Sequence, residues 1–330
     1  MLTVGVDLGG TNLRAAVVDP VSGQVRAEVR TPTRAEEGPP AVIARMADLI
    51  ARAIARAGAT PEMVAAIGIG VPGVYDPASG VVRFLPNLPT TWPDVPLGAE
   101  IVRRLGRPTV LINDARAFCL AEATFGAGRG ARTVVGLTLG TGIGGGVVIE
   151  GRLHLGIDHT AGEVGHQIID FNGPVCGCGS RGCLEAHASG PALAALGMKA
   201  VRQGRTTRLR DLVAGDLNRL TPEVIVQAAE EGDAVAREIL EEVGFYLGIG
   251  VANLITLFSP EVVVLGGGMA GAGEWLFRPL QTTVQQRVRV TPLARVRIVT
   301  AALGDRAGVV GAARWAWQQI TERTAEGGQT

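Results

Sequence analysis

One short stretch of the sequence combines a histidine and three cysteines at the spacing of a metal site. Cys176, Cys178 and Cys183 lie within eight residues, and His166 precedes the first of them by ten positions. One imidazole and three thiolates form a complete tetrahedral ligand set for structural Zn2+. Disulfide bonds are the alternative, and a reducing cytosol disfavours them. We therefore expect a structural zinc site in the loop that spans residues 166–183.

Two glutamates flank this loop. Glu163 precedes it and Glu185 follows it. If a metal orders the loop, both carboxylates can be fixed to accept hydrogen bonds from vicinal hydroxyls of a sugar, and such a site rejects analogues that lack the hydroxyl. The alternative for each glutamate is an ordinary solvated surface charge.

A third carboxylate follows a predicted buried strand. Asn113 and Asp114 come directly after the apolar run 109–112 and precede the helix-forming run 115–123. Strand ends are where α/β proteins place their sites. Asp114 can take the proton of a sugar hydroxyl that attacks the γ-phosphate of ATP, while Asn113 hydrogen-bonds a neighbouring hydroxyl. On local pattern alone, the alternative is a helix cap, since Asn and Asp are favoured N-cap residues.

Two glycine-rich segments are copies of one hairpin. Residues 4–18 (VGVDLGGTNLRAAVV) align without gaps with residues 135–149 (VGLTLGTGIGGGVVI), and each reads as a strand, a Gly/Thr turn and a second strand. Turns of this kind let backbone N–H groups approach a phosphate. Either turn alone is also compatible with an ordinary hairpin that binds nothing. The candidate phosphate-binding residues are Gly9, Gly10, Thr11, Gly140, Thr141 and Gly142.

The two hairpins differ at one position that could bind a metal ion. The first carries Asp7 and the second carries Thr138 at the matching position. Asp7 is therefore a candidate to hold Mg2+ through the water shell of the ion. A third glycine cluster ends the predicted strand in VVVLGGGM, an arrangement that lets a nucleotide lie against the backbone. Its candidate residues are Gly266, Gly267 and Gly268.

The lysine content excludes other phosphate chemistry. Lys199 is the only lysine of the chain, and it follows Met198. A P-loop requires a lysine after glycine, so that class of nucleotide-binding site is excluded. A simple Rossmann site is excluded as well, because no GxGxxG motif opens a helix after the first strand.

Composition predicts a two-domain α/β protein. The chain has 330 residues, of which 47% are hydrophobic, and its 31 basic residues balance its 31 acidic residues. Length and apolar content favour two domains, and balanced charge favours neither nucleic acid nor a membrane surface as a partner. The first residues do not resemble a signal peptide, so we expect a cytoplasmic protein. The apolar run 243–258 is too short for a membrane span and predicts a buried helix.

A proline-rich stretch, residues 71–97, predicts a long irregular segment of the kind that forms lids and binding loops. Within it, Gly73 and Asn87 are candidate sugar contacts. The remaining histidines are expected on the surface or in loops: His154, His159 and His187.

These segments resemble the ROK family (repressors, open reading frames and kinases), and specifically its bacterial glucokinases. The resemblance covers most of the chain. In order, its pieces are DLGGTNLR, NDARAFCLAE, LGTGIGGGVVIEGRLHLGIDHTAGEVGH, CGCGSRGCLE and VVVLGGGM. The first and last pieces are shared with the wider actin, Hsp70 and hexokinase group, whereas the middle pieces are specific to the family.

The resemblance implies a two-domain actin-like ATPase fold, which is ribonuclease H-like, with an interdomain cleft that closes when sugar binds. It implies that Asp114 is the catalytic base and that the protein is a homodimer. It also implies that His166 contacts both the sugar and the zinc ion. The positions that match the sugar site of the family are Asn113, Glu163, His166 and Glu185.

We expect a small α/β domain formed by residues 1–112 and 307–330, and a large α/β domain formed by residues 113–306. The leading function is ATP-dependent phosphorylation of glucose at its 6-hydroxyl, which gives glucose 6-phosphate and ADP. Alternatives are a kinase for fructose, N-acetylmannosamine or N-acetylglucosamine, polyphosphate as the donor, a non-enzymatic sugar sensor or repressor, and an actin-like or Hsp70-like ATPase. The resemblance leaves His159 and Thr160 unexplained, because relatives often carry small residues there.

Overall fold

The structure, a computed structural model, describes residues 1–85, 88–90 and 92–327. Asn87 lies outside the described residues, so the sugar contact predicted there stays a prediction. The chain forms two compact units. Unit 1 comprises Met1–Gly130, Gly151–Ala161 and Ala302–Thr330, and unit 2 comprises Ala131–Glu150 and Gly162–Ala301.

Strands and helices alternate through much of the described chain. The strands are β1 Leu2–Leu8, β2 Asn12–Val18, β3 Val25–Pro32, β4 Val64–Val71, β5 Val74–Asp76, β6 Val81–Phe84, β7 Thr109–Asn113, β8 Thr133–Leu139, β9 Ile143–Ile149, β10 Arg152–Leu153, β11 Val262–Gly266 and β12 Arg297–Thr300. The α-helices are α1 Pro39–Arg56, α2 Leu97–Leu105, α3 Asp114–Phe125, α4 Leu184–Ala188, α5 Gly190–Arg202, α6 Leu209–Leu212, α7 Pro222–Glu230, α8 Ala234–Phe258, α9 Glu274–Arg287 and α10 Ala307–Gly327.

The sheet of unit 1 has the strand order β3-β2-β1-β4-β7. β1 and β2 pair antiparallel, with Asp7 opposite Arg14, whereas β4 runs parallel to both β1 and β7. The carboxyl ends of β1, β4 and β7 therefore lie at one edge of the sheet, which is where α/β proteins place their ligands. Helix α1 packs on this sheet through residues three or four apart, such as Val42, Met46 and Leu49, which are all buried.

The sheet of unit 2 repeats this arrangement. Four neighbouring strands of this sheet lie in the order β9-β8-β11-β12, with β8 and β9 antiparallel and β11 parallel to β8. The predicted duplication of the glycine hairpin is therefore confirmed, and it extends to the parallel strand beside each hairpin.

The boundary between the units differs from the predicted division. The first stretch of unit 1 ends at Gly130, so α3 belongs to unit 1 and not to the larger domain that was expected to begin at Asn113. Helix α3 stays with this unit because it packs closely on α10. A Cβ atom at Gly311 of α10 would lie 1.8 Å from the carbonyl oxygen of Ala117, so only glycine allows the two backbones to approach this closely.

The proline-rich stretch is more regular than its sequence predicts. Strands β5 and β6 pair antiparallel within it, and Trp92, which follows them, is fully buried in the core of unit 1. The prediction of a long irregular stretch is therefore corrected for residues 74–84, which form a strand pair, and apolar side chains of the stretch join the core.

Helix α8 forms the core of unit 2. Among the described residues it is the helix long and apolar enough to cross a membrane, yet 61% of its most apolar window is buried inside the protein. Val243, Leu247 and Val251 are fully buried. At Gly248, a Cβ atom would lie 2.5 Å from the Cβ of Thr283, so the missing side chain lets α9 pack against α8. The predicted buried helix is confirmed.

Candidate active site

The junction of β7 and α3 places two polar side chains at the sheet edge of unit 1. Asn113 is the N-cap of α3, and its side-chain oxygen accepts hydrogen bonds from the N–H groups of Ala115 and Arg116 at 3.1 and 3.3 Å. Asp114 is the first residue of the helix, and its Oδ1 accepts the N–H of Ala115 at 2.8 Å. The capping interpretation is thus correct for Asn113. The carboxylate of Asp114 is oriented by its own hydrogen bond from the N–H of Ala115.

Gly70 separates the two acidic residues of this edge, and the sequence analysis did not identify it. A Cβ atom at Gly70 would lie 3.9 Å from the Cα of Asp114 and 4.0 Å from Oδ1 of Asp7. The glycine therefore keeps open the space between the candidate base and the candidate Mg2+ residue. Only the register of β4 between its two neighbours reveals this position.

Asp7 is a half-buried carboxylate with a nearby counter-charge. Burial raises the pKa of Asp7, the guanidinium of Arg14 opposes this shift, and the carboxylate of Asp305 adds to it. Arg14 is itself paired with Asp305, with an N–O distance of 3.0 Å. The ionised form of Asp7 is costly in this environment, so a nearby cation would stabilise it.

Gly73 lies at the same sheet edge as Asn113. It comes two residues after Val71, which pairs with Asn113 in the register of β4 and β7. Its N–H group donates to the carbonyl of Val71 at 3.1 Å. The position is compatible with the predicted sugar contact, which stays a prediction.

The turn of the first hairpin is held by its own backbone and by Thr33. The N–H of Gly9 donates to the carbonyl of Asn12 at 3.0 Å. Thr33 is buried, and its hydroxyl donates to the carbonyl of Gly9 at 2.6 Å while its N–H donates to that of Thr11 at 2.9 Å. Gly10 and Thr11 remain exposed at the tip, where a phosphate could approach them.

The second hairpin and the third glycine cluster meet at one end of the sheet of unit 2. The N–H of Gly190, the first residue of α5, donates to the carbonyl of Gly140 at 2.8 Å. Gly267 has a φ of 85°, and a Cβ atom there would lie 2.3 Å from the carbonyl oxygen of Leu139. Glycine is therefore required at 267, and it brings the cluster of residues 266–268 against the end of β8, beside the exposed Thr141.

A mostly apolar groove opens beside this cluster. Gly268 forms part of its wall, and α7 contributes two glutamates and a glutamine to its rim. Its apolar lining includes Leu193, Val226, Met269, Ala272 and Leu276.

The four predicted metal ligands come together in unit 2. The ligand atoms of His166, Cys176, Cys178 and Cys183 all lie within 4.8 Å of one another. Sγ of Cys176 is 3.7 Å from Nδ1 of His166, and the Sγ atoms of Cys178 and Cys183 are 3.8 Å apart. A tetrahedron with Zn–S bonds of 2.3 Å has edges of about 3.8 Å. Two donor pairs therefore match this edge length, and the four donor atoms lie close enough together to bind one ion.

Glu185 connects this cluster to the second hairpin. Its Oε1 lies 3.8 Å from Sγ of Cys176, and its Oε2 accepts the N–H of Ile143 at 2.9 Å. The interpretation as a solvated surface charge is wrong for Glu185, because the side chain is half-buried and its Oε2 accepts a backbone N–H. Glu163 is exposed, and its carbonyl accepts the N–H of His166 at 3.0 Å.

Two of the remaining histidines are not surface residues. The side chain of His187 is 9% exposed, and its ring lies 4.2 Å from that of Tyr246 between centroids. Burial lowers the pKa of His187. His159 is half-buried as well, whereas His154 is exposed as predicted. The local sequence pattern cannot predict these ring contacts, because the partner residues lie far away in the sequence.

Comparison with known proteins identifies the family. The family model described as the ROK family matches residues 3–319. The chain belongs to the ROK family. A glucokinase of Thermotoga maritima is 41% identical over 313 residues, which cover 94% of this chain and 95% of that protein. A xylose repressor of Caldicellulosiruptor bescii is 35% identical over 93% of this chain and 76% of its own length.

A solved structure of the family has the same fold. It is a ROK family glucokinase from Streptomyces griseus in complex with glucose and AMPPNP, with a TM-score of 0.80 and 34% identity. The match covers 96% of this chain and 100% of the chain in that structure. The predicted family and the predicted α/β fold of the actin-like ATPase class are confirmed.

Proposed function

We propose that this protein is an ATP-dependent glucokinase, which transfers the γ-phosphoryl group of ATP to the 6-hydroxyl of glucose and releases glucose 6-phosphate and ADP. The observation that carries the proposal is its 41% identity, over nearly the full length of both chains, with a glucokinase. A coupled assay of ADP formation with glucose tests it.

On the donor side, the phosphates of ATP bind to the two Gly/Thr turns and to residues 266–268. This assignment is supported by the exposed backbone groups at these turns, where glycine leaves space for a phosphate. The apolar groove beside Gly268 suits the adenine base. Asp7 holds hydrated Mg2+, which supplies neutralisation of charge on the transferring phosphoryl group.

On the acceptor side, Asp114 takes the proton of the 6-hydroxyl onto its carboxylate. The hydrogen bond from Ala115 fixes the orientation of this carboxylate. Asn113 uses its side-chain oxygen as the helix cap, so its amide nitrogen is the group that donates to a sugar hydroxyl. The other polar groups assigned to the sugar hydroxyls are Glu163, His166 and Glu185.

A structural Zn2+ ion binds His166 and the three cysteines. The spacing of the donor atoms supports this assignment, and four protein ligands leave no open position for substrate. The ion orders the loop that carries His166 and leads into Glu185, so its role in catalysis is indirect. We also propose a cytoplasmic location and, as the family resemblance implies, a homodimeric state.

Replacing Gly142 by alanine is expected to weaken glucose binding by about tenfold. The new methyl group would lie 2.5 Å from Oε2 of Glu185, so the carboxylate must shift, which disturbs its hydrogen bond from Ile143 and its proposed contact with the sugar. Hydrogen bonds to charged groups contribute about 1.5–3 kcal/mol, and about 1.4 kcal/mol corresponds to a factor of ten. Isothermal titration calorimetry with glucose and no nucleotide measures the effect.

The matched control for this variant is Gly140→Ala, in the same turn. A Cβ atom at Gly140 meets no protein atom within 4 Å, so Glu185 stays in place and the glucose Kd should remain that of the wild type. Equal glucose affinities for the two variants would remove Glu185 from the sugar site.

A further inference from the structure

His159 lies in a backbone conformation that favours glycine. Asp158 and His159 have φ angles of 48° and 58°, both in the left-handed region. Asp and His enter this region more readily than most residues other than glycine, but two such residues in succession are uncommon. The contacts of the His159 side chain therefore need an explanation.

The imidazole of His159 is wedged between two aromatic side chains of unit 1. Its Nδ1 lies 3.2 Å from the hydroxyl oxygen of Tyr75. Its ring meets Trp315 edge-to-face, with centroids 5.9 Å apart and an interplanar angle of 84°. Trp315 in turn donates its indole N–H to the carbonyl of Leu111 at 2.9 Å. The histidine is thus linked to β7, the strand that ends at Asn113.

A second link fastens the same segment to α3. The Nε of Arg116 donates to the carbonyl of Ala161 at 2.8 Å, and the guanidinium is buried. The N–H of Ala161 donates to the carbonyl of Leu155 at 2.9 Å, which closes the segment on itself. Residues 155–161 are therefore anchored at both links to the elements that carry Asn113 and Asp114.

We propose that His159 is a positioning residue for sugar binding, which anchors residues 155–161 and thereby fixes the chain two residues before Glu163. His159 acts through the backbone from 159 to 163, which determines where the carboxylate of Glu163 is held. This inference rests on the proposed glucokinase function and extends it to a residue with no role in the donor or zinc sites.

The protonation states are suited to this anchor. Burial lowers the pKa of His159, the nearby Arg116 lowers it further, and Asp158 opposes them. Burial also raises the pKa of Tyr75 to about 12. At neutral pH the phenol and the imidazole are therefore both uncharged, so they can share one neutral hydrogen bond.

The experiment compares four variants in steady-state kinetics with saturating ATP and in glucose titrations without nucleotide. His159→Gly accepts the left-handed backbone and removes the ring. We expect its glucose KM and Kd to rise by about fivefold, the factor that one net hydrogen bond contributes, with kcat changed by less than about twofold. Tyr75→Phe should shift both constants in the same direction. His159→Asn, which tolerates a left-handed φ and keeps a polar group, should recover part of the affinity.

The matched control is His154→Gly, a change at an exposed histidine of the same segment, which should leave both constants unchanged. A wild-type glucose KM in His159→Gly would overturn the positioning role. So would a lower Tm with an unchanged KM, because that result describes a contact that only stabilises the fold. If the wild type itself fails to phosphorylate glucose, the proposed function is wrong, and this outcome is distinct from either of the others.

Discussion

Asp114→Asn is expected to lower kcat by about 10²- to 10⁴-fold, the range that a positioned general base contributes. The amide replaces the carboxylate without a change of shape, and its oxygen can still accept the Ala115 N–H that the carboxylate now accepts at 2.8 Å. The start of α3 is therefore preserved while the proton acceptor is lost. Glucose and ATP affinities should change by only a few fold, because the substitution removes an interaction that matters mainly in the transition state.

Steady-state kinetics and equilibrium binding of each substrate separate these effects. The matched control is Asp216→Asn, since Asp216 is exposed and also accepts a backbone N–H, that of Asn218 at 3.1 Å, at the start of a short helix. It should retain wild-type turnover. Near-normal kcat in Asp114→Asn would show that another group accepts the proton.

Cys178→Ser is expected to abolish stable zinc binding and to reduce glucose phosphorylation strongly. Metal analysis of the wild type should find about one Zn2+ per chain, as a single four-ligand site requires. Removal of one thiolate should lower the metal affinity by at least about 100-fold, because even outer-shell partners of a ligand are worth about 10- to 100-fold. Glucose affinity should fall with it, since Glu185 lies 3.8 Å from the cluster at Cys176.

Cys119→Ala is the control for the loss of a thiol outside the cluster. Cys119 is buried in α3 of unit 1, so the variant should keep its zinc and most of its activity. A zinc-free Cys178→Ser protein with wild-type kcat and glucose KM would contradict the assigned role of the metal.

The features that sequence analysis predicted correctly depend on neighbouring residues. The Asn113 cap involves atoms only two or three positions along the chain. The Gly9 turn closes on Asn12 in the same hairpin. The metal cluster combines ligands within 18 positions, from His166 to Cys183. Short-range geometry of this kind follows from residue type and spacing.

The features that sequence analysis missed depend on contacts across long stretches of chain. Glu185 accepts the N–H of Ile143, 42 positions earlier, and Thr33 supports Gly9, 24 positions earlier. Gly70 matters because the sheet register pairs it with Asp7 on one side and with Ile112, two residues before Asp114, on the other. A pattern of residue types contains no such pairing information, so these contacts require the folded structure.

Long-range contacts also determine the boundary between the units and the surroundings of His159. The sequence analysis placed the start of the larger domain at Asn113. The structure keeps α3 in unit 1, since Gly311 lets α10 pack directly on it. His159 was expected to be a loop or surface residue, yet Tyr75 and Trp315 enclose it from distant parts of the chain.

The central claim is that the protein phosphorylates glucose with ATP, and kcat/KM across a sugar panel tests it most directly. Purified wild-type protein with Mg2+ and ATP would be assayed with glucose, fructose, N-acetylmannosamine and N-acetylglucosamine, and ADP and sugar phosphate would be quantified together. We predict the highest kcat/KM for glucose, equal amounts of ADP and glucose 6-phosphate, and little ATP hydrolysis without sugar. A kcat/KM for another hexose well above that for glucose, or ATP hydrolysis that sugar does not change, would contradict the claim.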